Sequence, residues 1–262
     1  MDGVFCGTEG QILKQASHQV MSLLLQNNIA SDNSVFSPIT AGLSGAQVFL
    51  CDNRYVIKYA SSSILNDVVM GQCKNEYGFY KMFTDKIDFI PEVVLQFSND
   101  EEIMIVFKKY EAIPNSRWDE ALQKYAMDLC AQINALDCNA SHNRSWLETE
   151  QEPGQYPLSE SHENWNHLQV KFSEHINASL LNEMYADFYE IAAYTEKLPI
   201  PKTFCHGDFA PANFLLDKDK LLVCDWQDTH IGTGIGAVTY FLQQRHRYGY
   251  QNKSRQDDTI VS

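Results

Sequence analysis

The stretch from His206 to Asn213, which reads HGDFAPAN, carries the residue types most capable of chemistry. Asp208 and Asn213 stand five positions apart, so both side chains can point into one site from a single tight loop. A second carboxylate, Asp225, follows two apolar runs, and a β-hairpin formed by those runs would return it to the same place. The residue types and their spacing therefore predict a single site that handles phosphate groups.

In protein kinases the catalytic-loop Asp and Asn are likewise five positions apart, and a metal-binding Asp follows on the next hairpin. Here His-Gly-Asp (206–208) replaces the His-Arg-Asp of protein kinases, and Asp-Trp-Gln (225–227) replaces Asp-Phe-Gly. No Ala-Pro-Glu segment is present, so we do not expect a protein kinase. With these substitutions the sequence resembles the aminoglycoside phosphotransferase family and its relatives.

The resemblance implies a role for each of these residues. It implies that Asp208 orients the acceptor hydroxyl and accepts its proton while the phosphoryl group is transferred from ATP or GTP. It also implies that Asn213 and Asp225 supply oxygen ligands to Mg²⁺. We expect His206 to be structural and to bind backbone groups of the loop.

A glycine-containing segment lies upstream between two predicted strands. Gly42 and Gly45 would let the backbone close over phosphate oxygens, and Ser44 would add a hydroxyl donor. Two glycines in a β-turn more often form only a hairpin. The segment is similar to the family's nucleotide loop, Gly-x-Ser-x-Ala-x-Val-Phe, in which Ala46 supplies the Ala.

Lys58 stands among strand-forming residues, sixteen positions after Gly42, where kinases keep the Lys that grips the α- and β-phosphates. A Lys on a strand is usually an exposed charge, and Glu76 on the following helix could equally be an exposed charge. We predict that the two form an ion pair. We also expect backbone groups from about Phe107 to Tyr110 to meet the adenine edge, which is compatible with a buried strand at this position.

Charge and cysteine usage limit the function. The formal net charge is −14, and residues 111–200 hold fifteen Asp or Glu against five Lys or Arg, which disfavours nucleic-acid binding. These carboxylates are either a solvated helical surface or a pocket that favours a cationic small-molecule acceptor. The seven cysteines form no Cys-x-x-Cys pair, no apolar run approaches the roughly 18 residues of a membrane helix, and the N-terminus lacks a signal-peptide pattern. We therefore expect a cytoplasmic protein with free thiols, no membrane contact and no zinc site.

The predicted fold is α+β and two-lobed, as in protein kinases. The N-lobe (1–108) has an antiparallel five-stranded sheet with one helix, and the mostly helical C-lobe (109–262) carries the catalytic loop, the metal site and the acceptor pocket. The predicted strands cover 34–39, 46–50, 55–59, 92–97 and 102–107. The predicted helices cover 9–28, 64–83, 117–136, 163–177 and 180–198, with a loop over 151–157.

Three functions compete. The first is an ATP-dependent O-phosphotransferase acting on an aminoglycoside or a similar cationic polyol, with antibiotic resistance either as its purpose or as a by-product of a promiscuous pocket. The second is a metabolic kinase for choline, ethanolamine, homoserine or a sugar, although Gly207 stands where choline kinases typically carry Asn. The third is a nucleotide-binding protein with weakened or lost phosphotransfer, because Ala237 replaces an Asp that braces the loop in the family and only 37 residues follow Asp225.

Overall fold

The computed structural model describes residues 18–39, 46–137, 148–149 and 199–247, with single positions between 166 and 190. The chain divides into two compact units: Met1–Glu148 with Thr203–Ser262, and Thr149–Lys202. The predicted lobe boundary near residue 108 lies inside the first unit and stays a prediction. Among the described residues, no helix has both the length and the apolar character needed to cross a membrane.

A five-stranded antiparallel sheet forms one part of the first unit. Its strands are β1 (Phe36–Pro38), β2 (Gln47–Cys51), β3 (Tyr55–Ser61), β4 (Val93–Ser98) and β5 (Glu102–Lys108), in the order β1-β2-β3-β5-β4. All residues of β5 except the last are buried, which explains its continuous apolar run next to the middle of the sheet. The five predicted strands are confirmed, with ends shifted by one to two residues.

The described helices are α1 (His18–Gln26), α2 (Asp67–Phe83), α3 (Glu120–Asn134) and α4 (Ile235–Arg247). Helix α2 begins three residues later than predicted because the Asn66 side chain caps it, accepting from the Val69 N–H at 3.0 Å. Helix α3 also begins three residues late, since Asp119 accepts from the Leu122 N–H at 2.9 Å. Local capping, rather than apolar periodicity, sets both starts.

The remaining described strands are short. They are β6 (Glu111–Ala112), β7 (Glu148–Thr149), β8 (Thr203–Cys205), β9 (Phe214–Asp217), β10 (Lys220–Val223) and β11 (His230–Gly232). Strands β9 and β10 form the predicted antiparallel hairpin, β6 pairs with β9, and β8 pairs with β11. Strand β8 leads into the catalytic loop, while β10 leads into the segment that contains Asp225.

A mostly aromatic core joins α2, α3, α4 and the β9–β10 hairpin. Its largest fully buried side chains include Phe79, Tyr80, Phe204, Phe214 and Trp226. Phe209 of the loop between β8 and β9 is itself buried in this core, which anchors the loop to these helices and strands.

Several predictions fall on residues outside the described ranges. They are the start of the helix over 9–28, the loop over 151–157, and the helices over 163–177 and 180–198 except for single positions, all but one of which are helical.

Candidate active site

The catalytic loop joins β8 to β9 and brings Asp208 and Asn213 together. The Asn213 Nδ2 donates to Asp208 Oδ2 and to the Asp208 carbonyl oxygen, both at 2.8 Å. A single 3₁₀ turn over Pro211–Asn213, with Pro at its start, sets this approach. The structure therefore brings these two residues together, while their roles stay predictions. The amide orientation leaves Asn213 Oδ1 as the atom that could bind a metal.

The His206 side chain connects the catalytic loop to the end of the β9–β10 hairpin. Its Nδ1 accepts from the Asp208 N–H at 3.3 Å, so Nε2 carries the proton and donates to the Cys224 carbonyl oxygen at 3.0 Å. Complete burial lowers the pKa of His206 to about 4, against weaker opposing contributions from the Cys224 carbonyl and the nearby carboxylates. The neutral imidazole thus ties the catalytic loop to the residue before Asp225, as the expected structural role requires.

Gly207 is the point where the loop passes closest to its neighbour. Its φ is +88°, and a Cβ added there would lie 2.0 Å from the Asp228 carbonyl oxygen. Any side chain would need both a left-handed backbone and a displaced Asp228. The glycine in His-Gly-Asp therefore has a steric reason in this chain.

Asp225 begins the turn after β10 with φ +66°, a left-handed conformation that Asp tolerates better than most residues. Its Oδ1 lies 2.7 Å from the Lys58 Nζ, and Lys58 Nζ also lies 2.5 Å from Glu76 Oε2. The predicted ion pair between Lys58 and Glu76 is therefore present. Strand β3, helix α2 and the segment after β10 meet at the Lys58 ammonium group, whose side chain is 12% exposed.

Two carboxylates facing one ammonium set the protonation of this cluster. Burial alone would lower the pKa of Lys58, but the charges of Glu76 and Asp225 outweigh it and hold that pKa above its usual value. Burial also raises the pKa of the Glu76 carboxyl, with Asp225 adding to that effect and Lys58 opposing it. Lys58 is thus protonated and contacts both carboxylates.

Two further residues of helix α2, besides Glu76, contact the segment 225–228. Gln72 Nε2 donates to Asp228 Oδ1 at 2.8 Å, and Asn75 Nδ2 donates to the Gln227 carbonyl oxygen at 3.4 Å. Sequence reasoning missed these contacts. Gln72 lies one helical turn before Glu76 on the same face, and that spacing was the available signal. Nothing in the sequence marked Asp228 as its partner.

Asp228 is a further carboxylate beside the predicted catalytic residues. Partial burial raises the pKa of its carboxyl, the charges of Asp208 and Asp225 raise it further, and the hydrogen bond from Gln72 and the charge of Lys58 oppose the rise. The site therefore holds an excess of negative charge.

The predicted nucleotide loop is only partly described. Gly42, Ser44 and Gly45 lie outside the described residues, so their contact with phosphates stays a prediction. Ala46 is half-buried and packs against a small cluster that includes Ala60 and Met70. Its role in nucleotide binding also stays a prediction.

The predicted adenine-binding segment follows β5. The Phe107 side chain is buried in the core, and Tyr110 lies just beyond the strand. The amide N–H groups of Lys108 and Lys109 donate to carbonyl oxygens of the protein at 3.1 and 2.9 Å. An adenine edge would therefore have to meet other backbone groups of this segment, and adenine binding by Phe107 and Tyr110 stays a prediction.

The residues predicted to bind Mg²⁺ supply too few ligands by themselves, and the phosphates of a nucleotide would have to supply others. Within the described ranges, no group of three or more His, Cys, Asp or Glu side chains is arranged to hold a metal ion. Asp225 and Asn213 offer two hard oxygen atoms, and Mg²⁺ commonly binds through one or two carboxylates together with water and substrate phosphates. The donor set therefore suits Mg²⁺ that arrives with a nucleotide.

Comparison with solved structures shows the fold. The ADP-bound aminoglycoside phosphotransferase APH(2'')-Ib is similar with a TM-score of 0.59 and 16% identity, covering 92% of this chain and 84% of that one. The streptomycin–ATP ternary complex of APH(2")-IIa has a TM-score of 0.57 and 15% identity, covering 92% and 94%. Choline kinase from Cryptosporidium parvum Iowa II has a TM-score of 0.54 and 13% identity, covering 87% and 69%. The predicted α+β, protein-kinase-like fold is confirmed.

Comparison of sequences shows the family. No curated protein sequence matches the chain. The sequence profile of the phosphotransferase enzyme family matches residues 35–234, which is well over half of the chain and includes Lys58, Glu76, Asp208, Asn213 and Asp225. The predicted resemblance and the predicted enzyme class are thereby confirmed, and the chain belongs to the phosphotransferase enzyme family.

Proposed function

We propose that the protein transfers the γ-phosphoryl group of ATP, or of GTP, to a hydroxyl of a small cationic molecule, and that it requires Mg²⁺. The leading acceptor is an aminoglycoside or a similar cationic polyol. The observation that carries this proposal is the convergence of the Asp208–Asn213 pair with the Lys58–Glu76–Asp225 cluster within one compact unit.

Asp208 is suited to positioning the acceptor. Asn213 and the loop backbone hold its carboxylate and carbonyl, and the residue is only half-buried, so an acceptor can reach it. In the proposed step the acceptor oxygen forms a bond to the γ-phosphorus, the bond to the β-phosphate oxygen breaks, and ADP leaves. The hydroxyl proton passes to Asp208. Because such transition states are loose, positioning and charge stabilisation matter more than base strength.

The charge of the site supports metal-dependent nucleotide binding. Two carboxylates, Glu76 and Asp225, contact the Lys58 ammonium, and Asp208 and Asp228 interact with Asp225 or with each other nearby, so the formal charge of these five groups is −3. A polyphosphate would be repelled by that charge unless cations came with it. Bound Mg²⁺ would supply the positive charge that neutralises the phosphates, while Lys58 would turn from Asp225 to a phosphate oxygen.

The acceptor class rests on charge. The net charge of −14 and the acidic excess over residues 111–200 favour a cationic molecule, although most of that stretch lies outside the described residues. A metabolic kinase is the alternative, and the likeness to a choline kinase fold suits it. Weakened or lost phosphotransfer is the remaining alternative, favoured by Ala237.

The deciding experiment measures ADP release by the purified protein with ATP or GTP and Mg²⁺. The acceptors are several aminoglycosides, choline, ethanolamine, homoserine and simple sugars, with Asp208→Ala as the inactive variant and Asp219→Ala, on an exposed turn, as its matched control. We expect acceptor-dependent turnover with an aminoglycoside, lost at least 100-fold in Asp208→Ala and kept in Asp219→Ala.

The other outcomes separate the alternatives. Turnover confined to choline, homoserine or a sugar would identify a metabolic kinase. Nucleotide binding without turnover for any acceptor would favour lost phosphotransfer, and near-normal turnover by Asp208→Ala would overturn the mechanism. For a cationic acceptor, kcat/KM should also fall as salt rises, because salt screens the acidic surface.

A further inference from the structure

The site contains a contact that the proposed function requires to break. Lys58 and Asp225 lie 2.7 Å apart, yet the nucleotide needs Lys58 on its phosphates and Asp225 on the metal. When a phosphate replaces Asp225 as a partner of Lys58, Lys58 still contacts Glu76 on α2. Asp225 then contacts neither Lys58 nor Glu76 directly. Other contacts must then keep the Asp225 segment in place against α2.

The hydrogen bond between Gln72 and Asp228 is suited to that task. Gln72 lies on the same face of α2 as Glu76, one turn earlier, and Asp228 lies three residues beyond Asp225. The donor is a neutral amide and the acceptor is a carboxylate, at 2.8 Å in a partly buried position. The Gln72 amide is uncharged, so a phosphate attracts it much less strongly than it attracts the Lys58 ammonium. We therefore expect this hydrogen bond to persist when the nucleotide binds.

Asp228 also touches the catalytic loop. Its carbonyl oxygen and carbonyl carbon lie where a Cβ on Gly207 would stand, next to Asp208. The same carbonyl oxygen lies 2.9 Å from the His230 Nδ1, which holds the backbone of Asp228 in place. One residue is therefore in contact with α2 through its side chain and with the catalytic loop through its backbone.

We propose that Gln72 and Asp228 are a positioning pair that keeps the Asp225 segment and the catalytic loop fixed against α2 after Lys58 has left Asp225 for the nucleotide. This inference rests on the proposed function. Neither residue touches the reacting atoms. The pair acts by holding Asp225 where it can bind the metal and Asp208 where it can meet the acceptor.

The test reverses the polarity of the bond. Gln72→Glu sets a carboxylate against the Asp228 carboxylate and removes the donor, at unchanged side-chain size. Asp228→Asn keeps an acceptor oxygen for Gln72. The double variant, Gln72→Glu with Asp228→Asn, restores one donor and one carboxylate in opposite positions and leaves the net charge as in the natural chain. Gln132→Ala, at an exposed position on α3, is the control.

Three quantities are measured in the full chain: kcat for ADP release, and the ADP dissociation constant with and without Mg²⁺. Gln72→Glu should lower kcat about ten- to a hundred-fold, as expected for loss of a hydrogen bond to a charged group, and should remove most of the gain in ADP affinity that Mg²⁺ provides. The metal-free dissociation constant should change less than about three-fold. The double variant should recover kcat and the Mg²⁺ effect to within about three-fold, and Gln132→Ala should match the natural chain.

Unchanged kcat and Mg²⁺ effect in Gln72→Glu would overturn the inference, as would a double variant no better than Gln72→Glu. So would losses that simply follow the melting temperature of each variant. If the natural chain binds Mg-ADP but shows no acceptor-dependent turnover, the proposed function fails, while the Mg²⁺ effect on ADP affinity still decides the role of the pair. A natural chain that binds no nucleotide would overturn both.

Discussion

The indole ring of Trp226 stacks on the phenyl ring of Phe79, with ring centroids 3.8 Å apart and ring planes within 9° of parallel. Both side chains are fully buried. Phe79 lies on α2 three residues after Glu76, and Trp226 directly follows Asp225, so apolar packing brings together the two carboxylates that share Lys58. The charges at this site are therefore held in place by a hydrophobic contact behind them.

The buried ion pair should matter far more for stability than an exposed one. Lys58→Met leaves Glu76 buried without its partner, so we expect the free energy of unfolding to fall by about 3–5 kcal/mol. Lys58→Met with Glu76→Leu should recover most of that loss, because the fully buried charge is gone and the remaining carboxylate, Asp225, has a side chain that is 30% exposed to solvent. Denaturant unfolding measures both.

The control for this prediction is Lys220→Met, which removes an ion pair to the exposed Asp88. It should change the free energy of unfolding by less than about 1 kcal/mol. Equal losses at Lys58 and Lys220, or a double variant no more stable than Lys58→Met, would contradict the prediction.

Asp225→Asn should weaken nucleotide binding only when Mg²⁺ is present. Asn keeps an oxygen for Lys58 but lacks the charge that binds the metal, so the Mg²⁺-dependent gain in ADP affinity should fall at least about ten-fold. Calorimetric titration with ADP, in Mg²⁺ and in a chelator, measures this gain. Asp219→Asn, on the exposed turn between β9 and β10, should behave as the natural chain does. ADP affinity that ignores both Mg²⁺ and the substitution would show that Asp225 is not a metal ligand.

Gly207→Ala should destabilise the protein by at least about 3 kcal/mol, from a left-handed φ that Ala disfavours and from the clash with the Asp228 backbone. Gly71→Ala is the matched control, because Gly71 lies within α2 and a Cβ there meets nothing within 4 Å. That substitution should stabilise the protein by about 0.5–1 kcal/mol. Thermal or denaturant unfolding of both variants checks the contrast, and a tolerated Gly207→Ala would mean that the close approach to Asp228 is wrong.

His206 should make stability depend on pH below neutrality. Its pKa is about 4 in the folded protein against 6.5 as its ordinary value, so between these values the unfolded chain binds a proton that the folded protein does not. Stability from this group is complete above pH 6.5 and is lost as pH falls towards 4, by an amount on the order of 3 kcal/mol.

Unfolding free energies at pH 7.5 and pH 5.0 measure this effect. His206→Asn can still accept from the Asp208 N–H but is too short to donate to the Cys224 carbonyl, which lowers its stability at every pH. Because Asn does not titrate, its stability should nevertheless fall less over the same range. Parallel pH profiles for the two proteins would show that protonation of His206 is not responsible.

Short-range patterns made the fold and much of the site predictable. Strand alternation, apolar helix periodicity and hairpin spacing are local properties, so the five-stranded sheet, α2, α3 and the β9–β10 hairpin follow from them. The five-residue interval between Asp208 and Asn213 also belongs to one loop, and the two side chains do meet. Helix starts were misplaced where a polar cap, such as Asn66, makes the helix begin later than the apolar pattern does.

The sequence alone determined the family, the order of the elements and the residue types at the site. Only the tertiary structure decided that Lys58 is shared between Glu76 and Asp225, that Gln72 meets Asp228, and that Phe79 stacks on Trp226. Each of the last two contacts, like the bond from Lys58 to Asp225, joins residues about 150 positions apart or more, and no local pattern encodes such a distance. Packing of α2 against the segment that follows β10 creates these contacts, because both bury apolar side chains in the same core.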